Sequence, residues 1–374
     1  MKSQRVASAV ANAALVLLPF LVLEGAFRLL PVSDPPAVLP VSAGQPVARL
    51  QPNVEYLYSR DWNFSVTAPK RSNNFGYIHR ADYRPEQKSP LMLVIGDSFV
   101  EANVVRIGRS AAELLHERVA GRGRVYSIGL SGAPLSQYLV FADYARATFR
   151  PSAMAFCIIG NDFDESLLKY KSDHRFHYFE ERGGRLELRR VDYRLSPAKK
   201  LLRESAFLRY VMLNLSAGAR IDELLQRLRG ADLGSRYSGA VLEQRVVDSQ
   251  RAVERFFELL PAASGLGPDA IVFVLDAVRP ALYSPETRRQ AEDGYHSRMR
   301  RYFAREAAAR GYEVIDMAPA FLAWHARDGA RFEAAPTDSH WNELGHRVVA
   351  GEVEKSRVFE RAFGSDKLIQ VRAQ

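Results

Sequence analysis

The most informative stretch of this 374-residue chain is LMLVIGDS, residues 91–98. Its five consecutive apolar residues, without polar alternation, are typical of a parallel strand buried on both faces. The strand runs directly into Gly96-Asp97-Ser98, which we expect to form a turn or the start of a helix. Ser98 would then lie at the carboxyl edge of a sheet, where open α/β sheets bind their ligands.

Short apolar runs and helical spacing alternate along most of the chain beyond this stretch. Further strands are predicted at 125–130, 154–159, 271–277 and 312–317, and helical spacing occurs at 110–119, 135–149, 241–260, 286–310 and 343–356. Such alternation predicts a mostly parallel sheet with helices on both faces. We therefore predict a doubly wound, three-layer α/β domain over residues 70–358, followed by a tail at 359–374.

Residues 165–235 interrupt the alternation and predict an inserted α+β segment. HYFEERGGRLELRR (177–190) has the pattern of a hairpin turning at Gly183-Gly184. The following KKLLRESAFLRYVMLNL has apolar residues at helical spacing. An insertion after the third strand would lie near the ligand-binding edge as a lid, a substrate wall or a packing appendage.

The N-terminus carries an uncharged run of 18 residues, VASAVANAALVLLPFLVL (6–23). That length approaches what a helix needs to cross ~30 Å of hydrocarbon. Lys2 and Arg5 precede the run, so the positive-inside rule places the N-terminus in the cytoplasm. A cleaved signal peptide is the alternative, but Glu24 interrupts the region where its small-residue cleavage site would lie.

We accordingly expect a single-pass inner-membrane anchor over residues 1–30, with the catalytic domain on the periplasmic side. Residues 31–69 begin with a stretch rich in proline, valine and serine, which predicts an extended linker. NVEYLYSRDWNFSV within that segment alternates enough for one or two short strands.

Composition places the chain among globular proteins and argues against a nucleic-acid partner. It is 47% hydrophobic and 25% charged, close to the average for folded domains. The net charge of +9 comes from basic residues scattered among acidic ones, without a nucleic-acid motif. A basic surface can instead favour an anionic polymer or an anionic membrane. The single cysteine, Cys157, lies in an apolar run and predicts a buried core residue.

Four turns that are distant in sequence carry groups suited to acyl chemistry. Ser98 offers a hydroxyl nucleophile, and its N–H can help to hold an oxyanion. Gly132 in LSGAP and Asn161 in IIGNDFD follow the next two predicted strands and offer further hydrogen-bond donors. His340 in APTDSHWNELGH can act as a general base, and Asp338 can orient its ring. Each motif alone is an ordinary turn or cap, but together they predict a serine-dependent acyl-transfer site.

A metal site is a weaker interpretation of the same residues. Asp338 and His340 would need a third ligand such as His346 or Asp162, and neither an HxxxH nor an HExxH motif occurs. His346 is also the rival candidate for the general base. We predict no metal and no cofactor.

At these motifs the chain resembles the SGNH/GDSL hydrolase superfamily, over residues 70–355. The resemblance implies that Ser98 is the nucleophile, and that the N–H groups of Ser98 and Gly132 and the amide of Asn161 form the oxyanion hole. It also implies that His340 and Asp338 are the base and the acid. The approach to the nucleophile, RSNNFGYIHRADYRPEQKSPLMLVIGDSF, resembles that of membrane-anchored bacterial members.

The chain departs from the family pattern at two points. The family spaces its acid and base as D-x-x-H, whereas Asp338-Ser339-His340-Trp341 resembles the D-x-H-W of the alginate O-acetyltransferase branch. Ser127 stands where the family often carries asparagine.

The shorter acid–base spacing and the expected location imply an ester hydrolase or O-acyltransferase acting on O-acetyl groups of an extracytoplasmic polysaccharide. Two alternatives stay open. One is a non-catalytic, membrane-tethered protein that binds or assembles polysaccharide. The other is a lipid esterase or thioesterase, which would have an apolar groove beneath the insertion.

Overall fold

The computed structural model describes residues 15, 17–39, 41–42, 44–191, 203–215, 239–335 and 338–364. The chain divides into two compact units. Unit 1 comprises Met1–Pro35, Tyr56–Pro69 and Arg194–Gly230, and unit 2 comprises Pro36–Glu55, Lys70–Tyr193 and Ala231–Gln374. Outside the described residues lie most of the predicted membrane run, residues 192–202 and 216–235 of the predicted insertion, and the end of the tail (365–374).

The elements of the described chain are numbered here in chain order. The strands are β1 (Val38–Leu39), β2 (Arg49–Leu50), β3 (Glu55–Arg60), β4 (Val66–Arg71), β5 (Leu91–Gly96), β6 (Arg124–Gly129), β7 (Ala153–Ile158), β8 (His177–Arg182), β9 (Arg185–Arg190), β10 (Ile271–Leu275), β11 (Glu313–Asp316), β12 (Glu333–Ala335) and β13 (Asp338–Trp341).

The α-helices are α1 (17–28), α2 (Ser98–Glu101), α3 (Ala111–Arg118), α4 (Leu135–Phe149), α5 (Ala206–Arg209), α6 (Gly239–Ser264), α7 (Pro280–Tyr283), α8 (Pro285–Glu292), α9 (Tyr295–Ala309), α10 (Met317–Asp328), α11 (Glu343–Glu354) and α12 (Arg357–Phe363).

Unit 2 contains a five-stranded parallel sheet in the order β11-β10-β7-β5-β6. β5, β6, β7 and β10 are buried along their whole length, which explains why β5, β7 and β10 are continuous apolar runs in the sequence. The prediction of a mostly parallel α/β sheet is confirmed. The chain leaves β5 toward β6 and then returns to the other side of β5 at β7. The carboxyl ends of β5 and β7 therefore flank a topological switch point, where such sheets bind ligands.

Local sequence explains most element boundaries in unit 2. Ser110 caps α3 by accepting from the Glu113 N–H, and the Glu113 carboxylate returns to the Ser110 N–H in a capping box. The insertion hairpin β8–β9 turns at Gly183-Gly184, both at positive φ, as predicted. The single helix predicted over 286–310 is wrong: the chain breaks at Asp293-Gly294 into α8 and α9, because Gly294 begins a second helix.

Unit 1 combines α1, most of the paired strands β3 and β4, and the short helix α5. α5 continues into a π-helical turn, Tyr210–Asn214. Within the part of the chain that is described, no helix is both long and apolar enough to cross a membrane.

Candidate active site

Ser98 is the first residue of α2, immediately after β5. Asp97 caps this helix by accepting from the Phe99 N–H at 2.9 Å. A Cβ on Gly129 would lie 2.6 Å from the Glu101 nitrogen, so only glycine lets α2 pack this closely against the end of β6. The nucleophile position is therefore fixed by backbone packing at the ends of two neighbouring strands.

The structure brings Ser98, His340 and Asp338 together in one hydrogen-bonded chain. His340 Nε2 lies 2.7 Å from Ser98 Oγ, and His340 Nδ1 lies 2.5 Å from Asp338 Oδ1. Asp338 Oδ1 also accepts from the His340 backbone N–H at 3.0 Å. With Asp338 ionised, Nδ1 carries the proton and Nε2 is free to accept from the Ser98 hydroxyl.

Strand β13 explains how a D-x-H spacing supplies both groups. Residues two apart on a strand point to the same face, so Asp338 and His340 lie side by side. The intervening Ser339 is exposed, as the alternation of a strand requires. The shorter spacing therefore does not prevent Asp338 from reaching the imidazole.

Aromatic and ionic contacts fix β13 against the sheet. The ring of Phe99, next to the nucleophile, lies 4.8 Å from the ring of His340. Trp341 Nε1 donates to Asp276 Oδ1 at 2.8 Å, and Asp276 forms a buried ion pair with Arg279. Asp276 directly follows β10, so this contact ties the base-bearing strand to another strand end.

Two buried carboxyl groups lie behind the nucleophile. Asp97 Oδ2 is 3.3 Å from Ser98 Oγ, and burial raises the pKa of Asp97 to about 6. Asp162 accepts from Tyr138 Oη at 3.0 Å and is fully buried; burial, and then the charge of Asp97, hold its pKa well above the usual range. When it is ionised, Asp97 attracts the imidazolium that forms as His340 takes the Ser98 proton.

Asn161 and Gly132, the two predicted oxyanion-hole residues other than Ser98, are linked by two side chains of the insertion, those of Glu165 and Lys171. Asn161 Nδ2 donates to Glu165 Oε2 at 3.0 Å. Glu165 forms an ion pair with Lys171, whose Nζ donates to the Gly132 carbonyl at 3.1 Å. Gly132 itself has φ +84°, a conformation that favours glycine. The positions of Asn161 and Gly132 are thus coupled through one charged pair.

A further buried carboxylate, that of Glu101, fixes the loop that carries Gly132. Glu101 Oε2 accepts from the Ser131 N–H at 2.8 Å and from the Ser131 hydroxyl. Burial raises the pKa of Glu101. This contact joins the helix of the nucleophile to the loop of the predicted donor.

A cavity of about 410 Å³ opens beside these groups. It is lined by Phe99 and Ser339, the sequence neighbours of Ser98 and His340, and by Asn161 on the donor side. Its remaining walls combine apolar and charged side chains, including Ile158, Ile159, Phe163, Leu275, Val278, Glu165, Asp276, Arg279, His296 and Arg300. Gly160 also lines the cavity, and a Cβ at this position would lie 2.7 Å from Cγ of His296, so the close approach of the two residues requires glycine.

The rival base His346, together with Ser127 and Cys157, occupies a structural position in the core. His346 is buried, its Nδ1 accepts from the Ala111 N–H at 3.2 Å, and burial lowers its pKa to about 3. Ser127 exchanges hydrogen bonds with Tyr83 Oη and lies in the core. Cys157 is buried, as predicted. Within the described ranges, no three His, Cys, Asp or Glu side chains cluster as metal ligands.

Several residues of the site were not identified from the sequence. Glu165 and Lys171 lie in segments without a motif, and only the spacing of four from Asn161 to Glu165 hints at contact. Asp276 could have been found, since it follows β10 at the same edge as the other site residues. His296 is the second residue of α9, the helix that begins at the break that the sequence did not predict.

Comparisons with known proteins give low-identity structural similarities only. No family model and no curated protein matches the chain. The solved structures similar to it include the acetyl xylan esterase AlAXEase, at 11% identity and a TM-score of 0.39 over 70% of this chain and 97% of that one. A lipase/acylhydrolase from Enterococcus faecalis has 12% identity and a TM-score of 0.37, over 71% and 93%.

A two-domain esterase active on acetylated mannans, solved with mannopentaose, is also similar, at 9% identity and a TM-score of 0.35, over 74% of this chain and 50% of that one. TM-scores below 0.5 do not carry an inference about this chain. Its fold is established by its own strand order, and its function has to be inferred from the geometry of the site.

Proposed function

We propose that this chain is a serine-dependent ester hydrolase or O-acyltransferase of the SGNH/GDSL type, acting on O-acetyl groups of an extracytoplasmic polysaccharide. The observation that carries the proposal is the hydrogen-bonded chain from Ser98 Oγ through His340 to Asp338, at 2.7 Å and 2.5 Å. A binding protein has no need to hold a hydroxyl against an imidazole that a carboxylate orients. A serine nucleophile is activated by that arrangement.

The first half of the reaction acylates the serine. Ser98 Oγ attacks the ester carbonyl carbon while His340 Nε2 takes its proton, and Asp338 stabilises the resulting imidazolium. The negative charge on the carbonyl oxygen is held by the N–H groups of Ser98 and Gly132 and the amide of Asn161. One such donor contributes ~3 kcal/mol to lowering the barrier. The imidazolium then gives its proton to the leaving alcohol, and an acyl ester of Ser98 remains.

The second half removes the acyl group. His340 deprotonates a water molecule or a sugar hydroxyl, whose oxygen attacks the acyl carbon. Collapse of the oxyanion breaks the bond to Ser98 Oγ, which recovers its proton from His340. Water gives hydrolysis and a sugar hydroxyl gives transfer, with the same residues in the same roles.

The walls of the cavity support a polar substrate. Arg279, Arg300, His296 and Glu165 contribute charged or polar surface beside Asn161. A fatty acyl chain would instead favour a continuous apolar lining, which argues against the lipid esterase alternative. The net charge of +9 is compatible with an anionic polymer.

The proposal includes a tether in the inner membrane, with unit 2 on the periplasmic side. Its support is the uncharged run 6–23, preceded by Lys2 and Arg5, and the exposure of the leucines of α1. The tether would hold the enzyme where surface polysaccharides are modified.

The direct test is p-nitrophenyl acetate hydrolysis by the full chain in detergent, with mass spectrometry of the quenched reaction. We expect turnover and an acetyl group on the peptide that contains Ser98. Ser98→Ala should lose both, with an unchanged circular dichroism spectrum. Equal rates in the two proteins would remove Ser98 from the active centre. Adding a deacetylated polysaccharide separates transfer from hydrolysis, because only transfer moves the acetyl group onto the sugar.

A further inference from the structure

Helix α1 exposes apolar side chains around its whole circumference. Leu17, Leu18, Leu21 and Val22 are 57–63% exposed. At 100° per residue these four positions span an arc of about 140°, and Phe20 and Leu23, on the remaining side of the helix, are 37% and 39% exposed. A protein partner would cover one stripe, whereas a helix that is apolar on all sides is suited to lipid.

The other exposed apolar side chains of unit 1 extend this surface beyond the helix. Trp62, in the turn between β3 and β4, is 71% exposed, and Met212, in the π-helical turn, is 41% exposed. Of the twelve large hydrophobic residues exposed in the described chain, eleven belong to unit 1; Val247 is the exception. Exposed apolar surface this concentrated indicates an interaction site.

A series of aromatic contacts connects α1 to the turn that carries Trp62. Phe27, near the end of α1, packs against Tyr210 with ring centroids 4.3 Å apart. Tyr210 packs against Phe64 at 5.5 Å, and its hydroxyl donates to the Trp62 carbonyl at 2.8 Å. Trp62 therefore lies near the level of Phe27, where the apolar helix ends. Aromatic residues concentrate at that level of a membrane, between the acyl chains and water.

Glu24 clamps α5 to α1. Its carboxylate accepts from the Ser205 hydroxyl at 2.6 Å and from the N–H groups of Ala206 and Phe207 at 3.1 Å each. It also pairs with Arg28 one turn later. The residue that interrupts the predicted cleavage region thus holds the helical part of the insertion against the helix.

We propose that α1, the turn at Trp62 and the segment 203–215 form one lipid-binding platform, seated in the headgroup layer of an anionic bilayer with Trp62 and Met212 inserted. The inference rests on the proposed membrane tether and goes beyond it, since a tether alone requires only the N-terminal helix. Arg28, exposed at the end of α1, is placed to contact lipid phosphates. A second copy of the chain or a protein partner on this surface is the competing outcome.

The test is tryptophan quenching of the full chain reconstituted in phosphatidylcholine–phosphatidylglycerol vesicles. The chain has three tryptophans, and Trp324 and Trp341 belong to unit 2. We expect lipids brominated at acyl carbons 6 and 7 to quench a fraction of the emission, and lipids brominated at 11 and 12 to quench less. Trp62→Phe should abolish this fraction, and Trp324→Phe should preserve it. Met212→Trp on the Trp62→Phe background should restore it.

Flotation of the vesicles keeps the tether and the platform distinguishable. If the chain floats with the vesicles but Trp62→Phe leaves the quenching unchanged, the platform is wrong and the tether stands. Chain that does not float would overturn both. Neither result depends on esterase activity, so failure of the proposed function is measured separately.

Discussion

The two sides of the site are held in place by different means. On the nucleophile–base side, a strand end, a helix cap and strand periodicity fix Ser98, His340 and Asp338. On the donor side, Asn161 depends on Glu165, which is itself paired with Lys171. The first side is built from the backbone and short motifs, and the second from side chains distant from any motif. The nucleophile–base pair should therefore respond to mutation as one unit, and the donor side in graded steps.

The largest expected effect is loss of the nucleophile or the base. Ser98→Ala and His340→Ala should each lower kcat/KM for p-nitrophenyl acetate by ~10⁴-fold or more, and the double variant should be no slower than either. The reason is that the two groups act in a single proton transfer. A double variant slower by the product of the two factors would show that they act independently.

A matched control for this series is Ser65→Ala. Ser65 is an exposed serine of unit 1, and its hydroxyl donates to Asp61. The variant should retain the wild-type rate, which shows that removing a serine hydroxyl elsewhere is tolerated.

Next in size is the loss of one oxyanion donor. Asn161→Ala should lower kcat by ~10²–10³-fold with little change in KM, because the amide is needed mainly when the oxyanion forms. Steady-state kinetics at saturating ester measure this directly. A variant that changes KM alone would place Asn161 in substrate binding instead of transition-state stabilisation.

The raised pKa of Asp97 predicts that the free energy of unfolding depends on pH. Its pKa is about 6 in the folded protein against an ordinary value of 3.8, so the folded state holds the proton more tightly than the unfolded chain. The tighter binding of this proton contributes on the order of 2–3 kcal/mol to the free energy of unfolding. The contribution is fully present below about pH 4 and is lost as the pH rises through 6. Asp97→Asn should therefore raise the free energy of unfolding at pH 8 relative to wild type and change it little at pH 4.

Urea unfolding of the two proteins at both pH values measures the effect. Asparagine keeps an acceptor for the Phe99 N–H, so the helix cap is preserved. If the free energies of unfolding of the variant and the wild type differed by the same amount at pH 4 and pH 8, the titration of Asp97 would not contribute to stability.

The sequence predicted the fold where apolar runs were continuous. β5, β7 and β10 are buried on both faces, and that burial is visible as an unbroken apolar run; β6 is equally buried although it contains Arg124 and Ser127. The break at Gly294 was missed because a single glycine is also tolerated inside helices. The division into two units could not be predicted, since unit 1 joins segments from the N-terminus and the insertion.

Within the site, the contact between Ser98 and His340 could be anticipated because the four motifs together, in contrast to each motif alone, predict a nucleophile and a base at one edge of the sheet. Their catalytic roles stay a prediction. The contacts of Glu165 with Asn161 and Lys171, and of Trp341 with Asp276, could not be predicted. Ionic and indole contacts of this kind depend on the positions of segments in space, and charged residues like these are common on any solvated surface.

The smallest effect should come from Glu165, and it distinguishes most sharply between the two sides. Glu165→Ala removes the acceptor of the Asn161 amide and the partner of Lys171, so kcat should fall by about tenfold, the cost of one lost hydrogen bond to a charged group. On the Asn161→Ala background the same change should cost little, because Glu165 would act through the missing amide. A full further tenfold loss would show that Glu165 acts through Lys171 and Gly132 instead, and the two predicted donors would then be positioned independently.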